Sequence, residues 1–316
     1  NASNTVGQRV IDDVLAVYGT PKTIGSATIL VEQASSGQDA GITISSRDVT
    51  EKGVISAKGG ELIWDSIPIS SLQDENTKPY LPTGFKVSKE SADAEDPMEE
   101  GLIITDAGGN EYVWVEVPRT IYSNELQAIT PDATLTDAQY TAIETAMISY
   151  ASSYRNDLYS DTYATSMGTI GNITNADDYN TLKKKMLKSV FDNGGFYVGR
   201  YEAGIEVADA RTDLTDPISD TLVPVSKANF APINYVTCDQ AQTLATRVSS
   251  GEYTSSLMFG IQWDLMLKYL EVKTGSAVTE FTENSGSWGN YTNVSFNVNS
   301  SAKGYNFDTK VYEDIS

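Results

Sequence analysis

Apolar positions along this chain recur in two registers, one suited to strands and one to helices. Residues 27–31, 41–45, 53–56 and 61–64 are short runs rich in β-branched residues, divided by Ser-Gly, Lys-Gly and Gly-Gly pairs. That pattern predicts a small sheet. Ahead of it, Val6, Val10, Val14 and Val17 share one helical face while Arg9, Asp12 and Asp13 take the other. A short helix over 4–18 follows, stopped at Gly19-Thr20-Pro21. Residues 70–86 carry Pro79, Pro82 and a polar run at 73–77, and they read as a joint. Beyond it, 101–106 and 110–118 alternate across the turn Asp106-Ala107-Gly108-Gly109-Asn110, the pattern of a hairpin. Period two places Tyr112, Trp114 and Glu116 on one face and Val113, Val115 and Val117 on the other. Helical spacing returns at 137–154, where Thr136 or Asp137 is the expected N-cap, and at 179–191 through Leu182, Met186 and Val190. Two more helices are expected at 238–248 and 262–270. Strands and helices in separate stretches predict an α+β chain, with a small helix-plus-sheet module at 1–77 and a larger domain at 78–316.

A chain of 316 residues with 40% hydrophobic content can bury a sizeable core. Its 43 acidic and 22 basic residues give a net charge of -21, which argues against a nucleic-acid partner, since phosphate recognition needs a clustered basic surface. The cluster Lys183-Lys184-Lys185 with Lys188 falls on the 179–191 helix and reads as a solvated helix face. No apolar run approaches the roughly 20 residues that cross a bilayer, so no membrane insertion is expected. The opening Asn1-Ala2-Ser3-Asn4 lacks the basic and apolar parts of a signal peptide and reads as a mature or trimmed start. Abundant Thr, Ser, Asn and Tyr, together with the negative charge, suit an exported bacterial or viral surface protein.

Three ordered segments carry a family resemblance. They are Gly194-Gly195-Phe196-Tyr197-Val198-Gly199-Arg200-Tyr201-Glu202-Ala203-Gly204, then Pro232-Ile233-Asn234-Tyr235-Val236-Thr237-Cys238-Asp239-Gln240-Ala241, then Phe259-Gly260-Ile261-Gln262-Trp263-Asp264-Leu265-Met266-Leu267-Lys268-Tyr269-Leu270. The set resembles the formylglycine-generating-enzyme (sulfatase-modifying factor) type of C-type lectin fold over about residues 81–292. In character it is most similar to the variable proteins of diversity-generating retroelements. The resemblance implies a lectin-type scaffold whose core is held by Trp114, Phe196, Tyr197, Tyr201, Trp263 and Tyr269. It also implies a ligand surface near the C-terminal end of the domain. Family members continue into a glycine-asparagine-valine-tryptophan-glutamate-tryptophan segment that is not found before Ile315-Ser316, so the expectation is a domain without that core segment, either because the tail lies beyond this sequence or because the fold is completed differently. The N-terminal helix-plus-sheet plan is similar to a pilin head, with a generic stalk module as the alternative.

Candidate chemistry narrows the reading. The chain has no histidine and one cysteine, which removes histidine triads, histidine metal sites and disulfides. The oxidase of this fold holds copper with a pair of cysteines; Cys238 cannot supply the pair, and it is expected as a buried thiol on a helix. Glu202 is the acid best placed for proton transfer, but Arg200 with Glu202 reads more simply as an internal ion pair. Asp264 is expected to face unpaired amides in the first turn of its helix. The acidic runs Asp209, Asp213, Asp216, Asp220 and Asp93, Glu95, Asp96, Glu99, Glu100 lack the EF-hand spacing. They read as solvated loops, with calcium the one cofactor left open and none otherwise expected.

What remains is binding. The tract 285–305 is loop-like, rich in Asn, Ser, Gly and Tyr and spiked with aromatic residues, and Tyr and Trp dominate binding hot spots. Trp288, Tyr291, Asn293 and Tyr305 are therefore the expected ligand contacts. The expected function is non-enzymatic: a ligand-binding display protein or adhesin on a cell or virion surface, recognising a protein or glycan. The alternative is a structural subunit of a pilus or virion, assembled as a homo-oligomer or filament, and behind it stands an enzyme of the formylglycine-generating type.

Overall fold

A computed structural model describes residues 22–24, 27–31, 41–46, 53–58, 61–64, 69–94, 96–131, 133–155, 161–206, 209, 211, 213–282, 303–306 and 311–314. The helix expected over 4–18 lies outside these residues. The chain forms two compact units: Asn1–Leu72 with Lys86–Ile104, and Gln73–Phe85 with Thr105–Ser316.

The first unit carries a five-stranded antiparallel sheet of β1 (Lys22–Ile24), β2 (Ala27–Val31), β3 (Gly41–Ser46), β4 (Gly53–Lys58) and β5 (Glu61–Trp64), ordered as in the chain. The four β-branched runs of the sequence are four of these strands. Register sets Ile29 opposite Ile44, Ile42 opposite Ile55 and Ile55 opposite Trp64. Pairs of this kind are the unit of sheet stability. After β6 (Phe85–Val87), helix α1 (Lys89–Asp93) is capped by Ser88, whose hydroxyl accepts from the Ser91 amide. Helix α2 (Pro97–Glu100) is capped by Asp96, which accepts from the Met98 and Glu99 amides. Part of the second acidic run is thus helix-start chemistry, where carboxylates meet unpaired amides. The Ser91 hydroxyl accepts from the Ile103 amide at 2.8 Å, which ties α1 to the start of β7 (Ile103–Asp106).

In the second unit, the expected turn is present: the Asp106 amide donates to the Asn110 carbonyl, and the Asp106 carboxylate accepts from the Asn110 amide at 2.9 Å. β8 (Glu111–Glu116) follows, then the short helix α3 (Asn124–Gln127) and α4 (Asp137–Tyr150). Thr136 caps α4 in a reciprocal box with Gln139. Helix α5 (Ala176–Asn193) leads directly into β9 (Gly195–Gly199), which pairs antiparallel with β8. A small pair, β10 (Gly204–Ile205) and β11 (Ala231–Pro232), brackets the acidic insertion. Then come α6 (Cys238–Arg247), α7 (Gly260–Thr274), α8 (Val278–Thr282) and the hairpin β12 (Lys303–Asn306) with β13 (Val311–Asp314). The tail expected to be loop-like throughout therefore ends in a strand, with Tyr305 opposite Tyr312.

The core of the second unit lies among α4, α5, α7 and β8–β9, where Val115, Ile143, Met147, Val190, Phe191, Ile261 and Leu265 are buried together. Each such side chain contributes about 1.5–3 kcal/mol on burial. Both faces of β8 are covered: Val115 joins this core, and Trp114 is buried against Tyr197 at a 4.8 Å ring separation, its indole N–H donating to Thr77 at 2.9 Å. The Gly194-Gly195 pair is a steric requirement. Gly194 has φ +71° at the end of α5, and a Cβ there would lie 2.2 Å from the Asn76 carbonyl. A Cβ on Gly195 would lie 2.4 Å from the Trp114 ring.

Of the six aromatic residues expected in the core, Trp114 and Phe196 are buried and Tyr197, Tyr201 and Tyr269 are half-buried. Trp263 is 52% exposed. Helix α7 turns Ile261, Asp264 and Leu265 inward instead, and a residue two positions after Ile261 falls about 200° around the helix from it.

Candidate functional site

Trp288, Tyr291 and Asn293 lie outside the described residues. Tyr305 is placed on β12, in register with Tyr312. The described side chains offer candidates elsewhere, beginning where buried charge collects.

Arg155, just after α4, bridges two carboxylates: Asp161 at 2.9 Å and Asp264 at 2.8 Å. Asp264 is fully buried. The same Asp161 carboxylate accepts from the Gly260 amide at 2.8 Å and the Ile261 amide at 3.0 Å, so it caps α7 from nearly a hundred residues upstream. Gln262 completes the cap by accepting from the Phe259 amide. This corrects the expectation for Asp264, which sits past the first turn and pairs with Arg155 while Asp161 faces the free amides. The two carboxylates hold the Arg155 guanidinium above its ordinary range against the opposing pull of burial. Every charge here has a partner, and the arrangement is one of support.

Other expectations change in the same way. Glu202 is exposed, and Arg200 pairs with Glu111 across β8 and β9 at 2.9 Å. Cys238 is exposed at the first position of α6, just after the Thr237–Gln240 cap, and is not a core thiol. The lysine cluster is only partly solvated: Lys183 bonds Glu144 at 3.1 Å and the Asp161 carbonyl at 2.8 Å, Lys184 bonds Asp137, and Lys188 bonds Asp192. The groove between α4 and α5 is lined by the Lys183–Glu144 and Lys184–Asp137 pairs with Tyr140 and Asn180. Among the described residues no group of three or more acidic or thiol side chains is placed to hold a metal ion. No described helix is long and apolar enough to cross a membrane.

Large apolar and aromatic side chains do reach the surface. Leu257 and Met258 are exposed immediately before α7 and Trp263 within it. Met258 and Trp263 occupy the two positions that form a hydrophobic staple at a helix start. A second group is aromatic: Phe85 packs edge-on against Tyr253 at 5.7 Å and tilted against Tyr112 at 5.8 Å. Nearby, the Tyr80 hydroxyl and the Thr83 amide both donate to Glu252. Burial, with the charge of Asp106 and the neighbouring Tyr253, pushes the Tyr112 phenol up to about 12.

A third group is built on the insertion between β10 and β11. Its acidic residues surround Arg211, which is 3% exposed and donates to the backbone carbonyls of Asp213, Leu214, Asp216, Asn234 and Tyr235. The Asp213 carboxylate accepts from the Thr215 amide and hydroxyl, which holds its pKa below the usual range. Arg211 has a signal in the sequence: it is the one basic residue among the acidic positions 202–220. Nothing in the sequence marked Arg155 as the partner of Asp264, since the two are 109 positions apart. No protein-family model, no curated protein and no solved structure matches this chain.

Proposed function

We propose that this α+β chain is a non-enzymatic, surface-displayed ligand-binding protein, an adhesin or receptor-binding protein on a cell or virion, built on the formylglycine-generating-enzyme type of C-type lectin scaffold. The observation that carries the reading is Trp263. The largest apolar side chain in the repertoire is 52% exposed on a helix whose start is fixed by Asp161 and whose inner face is packed through Ile261 and Leu265. A rigid helix presenting an exposed Trp, with Leu257 and Met258 beside it in sequence, has the composition of a binding hot spot. Two whole-chain facts support a binding role over catalysis: there is no histidine to act as base, and one cysteine cannot make a two-thiolate copper site. Protein and glycan ligands both suit exposed aromatic faces.

The test is a glycan array and a binding screen on intact cells, read with the native chain and with alanine at Trp263, Trp288, Tyr291 and Tyr305 in turn. Binding that falls about fivefold or more for at least one of these variants, at unchanged melting temperature, is expected. Absence of any glycan or cell-surface binding, or binding indifferent to all four changes, overturns the reading.

A further inference from the structure

The insertion between β10 and β11 is held more firmly than a solvated acidic loop would be. Two arginines pin it through backbone carbonyls. Arg211 ties its first limb, at 213–216, to the segment just after β11, at 234–235, and Arg247, in the last turn of α6, donates to the Ser219 and Leu222 carbonyls at 2.8 and 2.9 Å. Beneath the insertion, Leu222 and Ile233 pack against buried Ile205 and Ala231.

The clamp brings two exposed apolar residues together. One nitrogen of Arg211, Nη2, donates to the Leu214 carbonyl at 3.3 Å and to the Tyr235 carbonyl at 2.8 Å, so their backbones are neighbours although 21 positions separate them in the chain. Leu214 is 59% exposed and Tyr235 45%. Tyr235 also has φ +50°, a left-handed conformation that a bulky residue adopts only when its surroundings impose it. Beside it, the Asn234 side-chain oxygen is buried without a hydrogen-bond partner, a second local cost in the same two residues. An imposed backbone and an unsatisfied acceptor lie at the point where the backbones of two exposed apolar residues meet. Glu206, Asp209, Asp213 and Asp220 are exposed along the same insertion, while of its two described cations Arg211 is buried and Lys227 is half-buried over the Phe230 ring.

We infer that Leu214 and Tyr235 mark a second interaction surface, besides the one proposed above, that docks a cationic protein segment carrying an apolar side chain. The apolar pair supplies the desolvated centre and the acidic insertion the complementary rim, an arrangement in which charge steers and the aromatic anchor holds. The clamp fixes the loop beforehand, so docking does not bear the entropy of ordering it. Arg211 is a positioning residue and touches no ligand.

The probes are two soluble lysine-rich peptides of equal charge, one bearing a leucine and a phenylalanine and one bearing lysine and glycine only, titrated by calorimetry against the whole chain. The apolar-bearing peptide should bind about tenfold tighter, and Tyr235→Ser with Leu214→Ser should abolish that difference while leaving the melting temperature unchanged. Asp213→Asn with Asp209→Asn should weaken both peptides and flatten their salt dependence. Alanine at Trp263, Trp288, Tyr291 and Tyr305 should alter neither, which separates this surface from the one proposed above. Equal binding of the two peptides, or a difference that survives the Tyr235 and Leu214 changes, would show attraction to bulk negative charge and overturn the inference. Loss of the difference on changing only the C-terminal tract would overturn it as well.

Discussion

At the scale of single residues, burial separates two aromatic roles that the sequence presents alike. Trp263→Ala removes a side chain already half in water, so its unfolding free energy should change by less than about 1 kcal/mol, whereas Leu265→Ala, two positions on and on the buried face, should cost about 2–5 kcal/mol through the cavity it leaves. Urea denaturation of the two variants checks this, and the reverse ranking would move Trp263 back into the core. Tyrosines titrate by the same logic. Burial raises Tyr112 and Tyr179 to about 12, with carboxylates nearby adding to the effect. A phenol raised above its unfolded value of about 10 keeps its proton longer in the folded chain, so its stabilisation is intact below about pH 10 and lost as pH rises toward 12. Absorbance titration near 295 nm should show tyrosinate forming in two groups, with the later one coinciding with alkaline unfolding. Candidate-site residues divide similarly. Tyr305 could be named from composition alone, but Tyr235 could not, because only its backbone conformation and its tie to Arg211 distinguish it from seventeen other tyrosines.

At the scale of elements, local signals were legible wherever the stabilising contact is itself local. Thr136 with Gln139 and Thr237 with Gln240 are capping boxes readable from a spacing of three, and both start the helices they announce. The strands β2 to β5 follow their β-branched runs almost residue for residue. Helix α7 shows the limit: it begins at Gly260, two residues before the expected start, because Asp161 caps it from a distant loop. Asp161→Ala should therefore act as a long-range cap deletion and a broken buried ion pair together, with a loss of about 3 kcal/mol or more. Asp161→Asn, which keeps an acceptor for one amide and gives up the charge, should fall between it and the native chain. Equal stability of all three proteins would mean the cap contributes nothing.

At the scale of the whole molecule, the net charge of -21 sets a background of self-repulsion on which every local pairing is superimposed. Raising ionic strength from about 0.01 to about 0.15 M shortens the screening length from ~30 to ~8 Å, and the melting temperature should rise. A fall would mean that specific ion pairs such as Arg155 with Asp161 and Asp264 outweigh the general repulsion. The sequence by itself determined the α+β class, the strand-rich first stretch, the main helices, the absence of histidine chemistry and the acidic character. Each depends on composition or on contacts a few residues apart. Tertiary structure alone decided which face of α7 is buried, that Asp161 rather than Asp264 faces its amides, that Arg200 pairs with Glu111, and that Leu214 and Tyr235 become neighbours. Those outcomes depend on groups brought together from tens to more than a hundred positions apart, where packing and the satisfaction of buried charge choose among arrangements that periodicity leaves equal.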